Sequence, residues 1–103
     1  MDLSDRLGLK SPNPMYDVWR QHTCTFIAET HEMTCSDGAG RVKWRGTVVG
    51  LSDVPNRARK RPYRFDVQVG DSWVAVCAPD AATKAKWLGG LPREIARKPT
   101  MLD

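Results

Sequence analysis

A chain of 103 residues has room for one domain without a separate linker, and 41% hydrophobic content with four tryptophans is enough for one modest core. No apolar run approaches the length that spans a bilayer and no basic-then-apolar signal follows Met1, the expected natural start, so a spanning or exported protein is not expected. Three cysteines without a CxxC pair argue against a disulfide scaffold and for a reducing, cytoplasmic setting, while a net charge of +4 points to anionic partners, a peripheral membrane surface among them.

Met1 to Asp17 is weakly patterned. Asp2 to Leu9 suggests a helical turn capped by Ser4, and Ser11-Pro12-Asn13-Pro14 must break any helix. Residues 1–17 are therefore expected to be an extended or partly disordered N-terminal segment, ahead of a domain over 18–92 and a basic tail over 93–103. From Val18 the β signal begins. Thr23 to Ile27 is a β-branched and aromatic run with Cys24 and Phe26 on one face, Glu29-Thr30-His31 reads as a turn, and Glu32 to Cys35 as a short returning strand.

Ser36-Asp37-Gly38-Ala39-Gly40 is a loop signal, and Arg41 to Leu51 another strand, in which Gly46 and Gly50 suggest a bulge or a close backbone approach. Asp53 to Pro62 is a polar connection crowded with Arg57, Arg59, Lys60 and Arg61. Tyr63, Phe65, Val67 and Val69 then alternate with Arg64, Asp66 and Gln68, the period of a strand with one buried face. Gly70-Asp71-Ser72 interrupts that alternation as a hairpin turn would, and Trp73 to Ala78 resumes it. Asp80 is placed to cap a helix over Ala81 to Leu88, with Gly89-Gly90 as its stop. Trp87 is expected in the core. A second basic group, Arg93, Arg97 and Lys98, follows the helix.

Several short strands closed by one helix imply a mainly β protein, a small curved sheet or barrel with a C-terminal cap. The order of elements resembles the pleckstrin homology (PH) domain. Ser72 to Ala78, then Asp80, Trp87, Leu88 and Leu91, is similar to that family's last strand and helix. Gly46 to Leu51 with Val54, and Phe26-Ile27 with Met33, resemble its inner strands, a likeness running from about Thr23 to Leu91. The resemblance implies a binding module for a protein partner or a phosphoinositide-type surface. Phosphoinositide-binding members carry a lysine in the first strand and a basic pair in the second, for which Lys10 and Arg20-Gln21-His22 are the nearest counterparts.

An oligonucleotide-binding (OB) barrel is the alternative. It would use Trp44, Tyr63 and Phe65 to stack on bases of a nucleic acid, with the basic residues tracking phosphates. His22, Cys24, His31 and Cys35 put N and S donors on two adjacent strands, but their spacing is no recognised zinc pattern. No metal or cofactor is assigned. GxSxG, HExxH and Gly-rich phosphate loops are all missing, so the expected protein is not an enzyme. The anion-binding candidates are Arg20, Arg57, Arg59, Lys60, Arg61 and Arg64.

Overall fold

Alternation of buried and exposed side chains drives most of the chain into strands in this computed structural model, which describes residues 2–11, 18–53, 63–92 and 95–97. In chain order these are β1 (Leu3–Lys10), β2 (Trp19–Ile27), β3 (Glu32–Ser36), β4 (Val42–Asp53), β5 (Arg64–Val69) and β6 (Ser72–Cys77). The helix α1 (Ala81–Gly90) and a two-residue β7 (Ala96–Arg97) complete the fold. Each of β1 to β5 pairs antiparallel with its successor, and β1 also meets β6, so the ladder closes into a barrel. This is an up-and-down meander. The five-stranded Greek-key order of an OB barrel is not adopted.

The first strand is the main departure from the sequence reading. Leu3 to Lys10 pairs residue by residue with Phe26 to Trp19, where a helical turn was expected over Asp2 to Leu9. Leu3, Leu7 and Leu9 are buried, and they fall on one face only with a period of two. The barrel thus draws a wall from residues 1–17. It also takes Ile95, fully buried, and a short parallel pairing of Ala96 and Arg97 with Gly50 and Leu51, from the stretch 93–103 expected as a tail.

Inward residues of every barrel strand meet in one core. Leu7, Cys24, Phe26, Met33, Val48, Leu51, Phe65, Val67 and Val76 are all essentially inaccessible, and Trp87 of α1 joins them with its ring stacked on Phe65 at 6.3 Å between centroids. As expected, β4 is irregular near its glycines: its register with β5 slips between Val48 and Gly50. At Gly46 a Cβ would lie 2.5 Å from Val69 Cγ1, a distance no real side chain tolerates, so the glycine lets β4 curl closely past β5. Gly70 turns the β5–β6 hairpin at φ 60°, the left-handed region that a two-residue turn demands.

The cap of α1 is also as read from the sequence, with the Asp80 carboxylate accepting from Thr83 N at 2.7 Å. Its other end differs. Gly89 and Gly90 stay helical, and the helix ends in extended backbone at Leu91, whose N–H donates to Trp87 O at 3.1 Å. Arg97 reaches back to the exposed carbonyls, donating to Leu91 O (3.1 Å), Leu88 O (3.3 Å), Ile95 O (2.7 Å) and Pro92 O (3.3 Å). A cation fits there, because the last carbonyls of a helix are unpaired acceptors at its negative end.

Candidate functional site

The helix closes only one end of the barrel. At that end Asp5, on the inward parity of β1, accepts from Trp87 Nε1 at 2.8 Å and from Lys86 Nζ at 2.9 Å. Burial alone would raise the Asp5 pKa, but the Lys86 and Trp87 hydrogen bonds and the Lys86 charge outweigh it and hold the carboxyl below its ordinary value. Lys84, buried to 8% exposure, pairs with Asp53 Oδ1 at 2.9 Å. The polar groups here serve the fold.

The opposite end is open. A groove of about 1160 Å³ starts in the barrel mouth, lined by Leu9, Arg20, His22, Trp44 and Val74, and runs out through the wall past Lys10, Ser11, Trp73 and Ala75. Local pairing explains the breach. β6 is bonded to β5 along its whole length, Ser72 to Cys77, yet meets β1 only through Val76 and Cys77, opposite Leu9 and Gly8. β1 ends at Lys10, and no further pairing of the two strands is present among the described residues. Trp73 stands at the outer lip with 43% of its surface exposed.

Four cations line this groove, and they differ in what holds them. Arg64 donates through Nε and Nη2 to the two oxygens of Asp66, at 3.0 and 3.1 Å. Lys43 Nζ lies 3.7 Å from Asp37 Oδ2. Asp37 is itself the organiser of the β3–β4 loop, accepting from Arg41 N (3.0 Å) and Ala39 N (2.9 Å), and those backbone donors with Lys43 keep its carboxyl below the ordinary value. By contrast, neither the Lys10 nor the Arg20 side chain has a hydrogen-bond or ion-pair partner among the described residues. They come from adjacent strands, with Arg20 opposite Leu9 and Lys10 opposite Trp19. His22 lies just inside, its Nδ1 donating to Arg20 O at 2.9 Å.

Of the residues named from sequence, Arg20 and Arg64 therefore share one groove, Arg64 with its charge already paired. Arg57, Arg59, Lys60 and Arg61 lie outside the described residues. Lys10, noted only as a counterpart, is brought to the same groove as Arg20 because β1 is a strand. The proposed base-stacking set does not assemble, since Phe65 is buried against Trp87 while Tyr63 and Trp44 pack on the core. The exposed aromatic of the groove is Trp73, which was read as strand.

Apart from His22 in the groove, the donors weighed for a metal pack within the barrel. Cys24 and Cys35 face one another across β2 and β3 inside the core, and Cys35 side-chain hydrogen bonding together with burial pushes the Cys24 thiol far up. His31 is at the far end of that hairpin, its ring stacked on Phe26 at 6.1 Å. Among the described residues no group of three or more His, Cys, Asp or Glu is placed to hold a metal ion. No described helix is long and apolar enough to cross a membrane.

A closed meander barrel with one capped end and one open end defines a class of small β domain. Comparison with solved structures gives the class its name, the pleckstrin homology fold. The PH domain of ArhGAP27 superposes with a TM-score of 0.69 at 12% identity, over 92% of this chain and 99% of that one. The C-terminal PH domain of human pleckstrin gives 0.68 at 12%, over 84% and 73%. A chain from the crystal structure of sifa and skip gives 0.66 at 15%, over 90% and 96%. No family model matches the sequence. No curated protein matches it either.

Proposed function

We propose that this protein is a non-enzymatic binding module whose open mouth takes an anionic group, a phosphate or a carboxylate, from its partner. The observation that carries this reading is the pair Lys10 and Arg20, two cations on neighbouring strands at one groove with no counter-ion among the described residues. Both line the groove, Arg20 on the face of the β1–β2 ladder that carries Leu9 and Lys10 on the other, so an anion bound there draws on two unneutralised charges. Arg20 would supply the planar fork and Lys10 a point charge. Arg57, Arg59, Lys60 and Arg61 belong to the same reading as further charges on the connection that leads into β5.

Such a module would work in the cytoplasm, on a protein partner or at the surface of a membrane. One structural neighbour comes from a crystal of two proteins, sifa and skip, which favours a protein partner as one source of the anion.

The test is a titration at low and moderate salt with soluble inositol trisphosphate, phosphatidylcholine vesicles with and without phosphoinositide, and labelled oligonucleotides. Saturable binding of an anionic ligand is expected, weakening as salt rises and falling about tenfold in Lys10→Glu and in Arg20→Glu. Charge reversal at Arg57, Arg59, Lys60 and Arg61 should weaken it further. Silence with every anion, or binding indifferent to both mouth substitutions, overturns the reading. Oligonucleotide binding alone would transfer the site to nucleic acid.

A further inference from the structure

The groove is more than a basic hollow, because one of its walls is a strand edge. N–H and C=O groups of alternate residues in a strand point to the same side, and those of β6 on the β5 side are used along all of Ser72 to Cys77. On its other side, β1 pairs only with Val76 and Cys77. Among the described residues no strand is bonded to Ser72, Trp73, Val74 or Ala75 on that side. A lipid headgroup or a lone phosphate can neutralise Lys10 and Arg20, but it cannot complete a ladder. An extended segment that carries carboxylates can do both.

We propose that the parted wall is a docking slot for an extended acidic segment of a partner protein, which adds to the Ser72–Ala75 edge of β6 as a new strand. The lining dictates the pattern of its side chains. Leu9, Trp44 and Val74 offer apolar surface on the inner side of the slot, and Lys10 stands on the outer side with Trp73 beside it. A strand in this position sends alternate residues to the two sides. The occupant therefore reads apolar-acidic-apolar-acidic, its apolar residues entering the mouth and its carboxylates facing Lys10. Arg20, at the inner lip, adds to the field that selects acidic over basic segments. This inference rests on the anion-binding reading and names the source of the anion.

The probe is the blocked peptide acetyl-(Val-Glu)3-amide, with two further versions N-methylated at all valines or at all glutamates. Each methylated form loses the N–H groups along one edge only. In the free protein, amides within Ser72–Ala75 that face the slot should exchange with solvent quickly. The unmodified peptide should bind saturably below about 5 mM and protect those amides. One methylated form should keep its binding and the other lose at least tenfold, and Lys10→Glu should lose about tenfold. The inference is overturned if all four amides are already protected in the free protein, if the peptide does not bind, or if both methylated forms bind alike. Inositol trisphosphate or anionic vesicles binding while the peptide does not would leave the anion reading standing and remove this one. Failure of every anionic ligand would remove both.

Discussion

The two ends of the barrel handle charge in opposite ways. At the helix end, Asp5 is met by Lys86 and Trp87, Lys84 by Asp53, and the last carbonyls of α1 by Arg97. At the mouth, Lys10 and Arg20 have no such partners among the described residues and Trp73 is exposed. A polar group is satisfied where the fold needs rigidity, and a group left over at an open groove is available to something else. The contrast separates residues that build this domain from residues that would use it. Substitutions at the two ends should therefore sort cleanly, with stability lost at one and ligand binding lost at the other.

Trp87→Ala should have the largest effect. It empties the volume of a fully buried ring that packs on Phe65, and losses of this kind run to about 3–5 kcal/mol, visible as an early midpoint in urea unfolding. Asp5→Ala comes next, at about 1–3 kcal/mol, because it leaves the buried Trp87 indole N–H without its acceptor and Lys86 without its counter-ion. The same residue sets a pH dependence. Its folded-state pKa lies below its ordinary value of 3.8, so the unfolded chain takes up the proton more readily. Its contribution is complete above the unfolded value and is lost as pH falls through the lower folded one. Urea midpoints should drop below about pH 4 in the parent and less steeply in Asp5→Asn. An equal pH slope in both would mean that Asp5 is not the group responsible.

Arg97→Ala is smaller, about 1 kcal/mol, since the four carbonyls it serves sit close to water and recover part of the loss. It is informative because composition pointed elsewhere. In the sequence Arg97 is one of a basic trio with Arg93 and Lys98, and its charge reads as a solvated tail. In the fold its guanidinium closes the helix. If Arg97→Ala leaves the urea midpoint untouched while weakening anion binding, the division between the two ends fails at this residue.

The sequence made the second half of the barrel legible because each signal there was local. Alternation from Tyr63 to Val69, a glycine in the turn, a capping aspartate and an apolar helix face are each readable within a few residues. The first strand was hidden for the opposite reason. Its inward set includes Asp5, a charged residue whose partners Lys86 and Trp87 come from the far end of the chain, so the alternation Leu3, Asp5, Leu7, Leu9 looks broken until α1 is in place. Misplacing that strand also hid the groove, since Lys10 and Arg20 line it together only when β1 and β2 are paired. The breach beside Trp73 had no local signal at all. It lies where the described β1–β6 pairing stops at Leu9 and Val76, residues too distant in sequence for any pattern to announce it.

The smallest expected effect on stability is the one that tests the comparison most directly. Lys10 and Arg20 touch no counter-ion among the described residues, so removing either charge breaks no described ion pair and lowers a net charge of +4. Arg20→Ala and Lys10→Ala should change the unfolding free energy by no more than about 0.5 kcal/mol, and the direction should be towards greater stability at low salt. Raising salt should erase that gain, because screening already does in the parent what the substitution does in the variant. Adding an anion that fills the groove should stabilise the parent and leave the double variant unmoved, since ligand binding to the folded state alone shifts unfolding by mass action. A double variant that unfolds early would show that these cations are part of the structure. The mouth would then resemble the helix end, and the case for a site there would lose its footing.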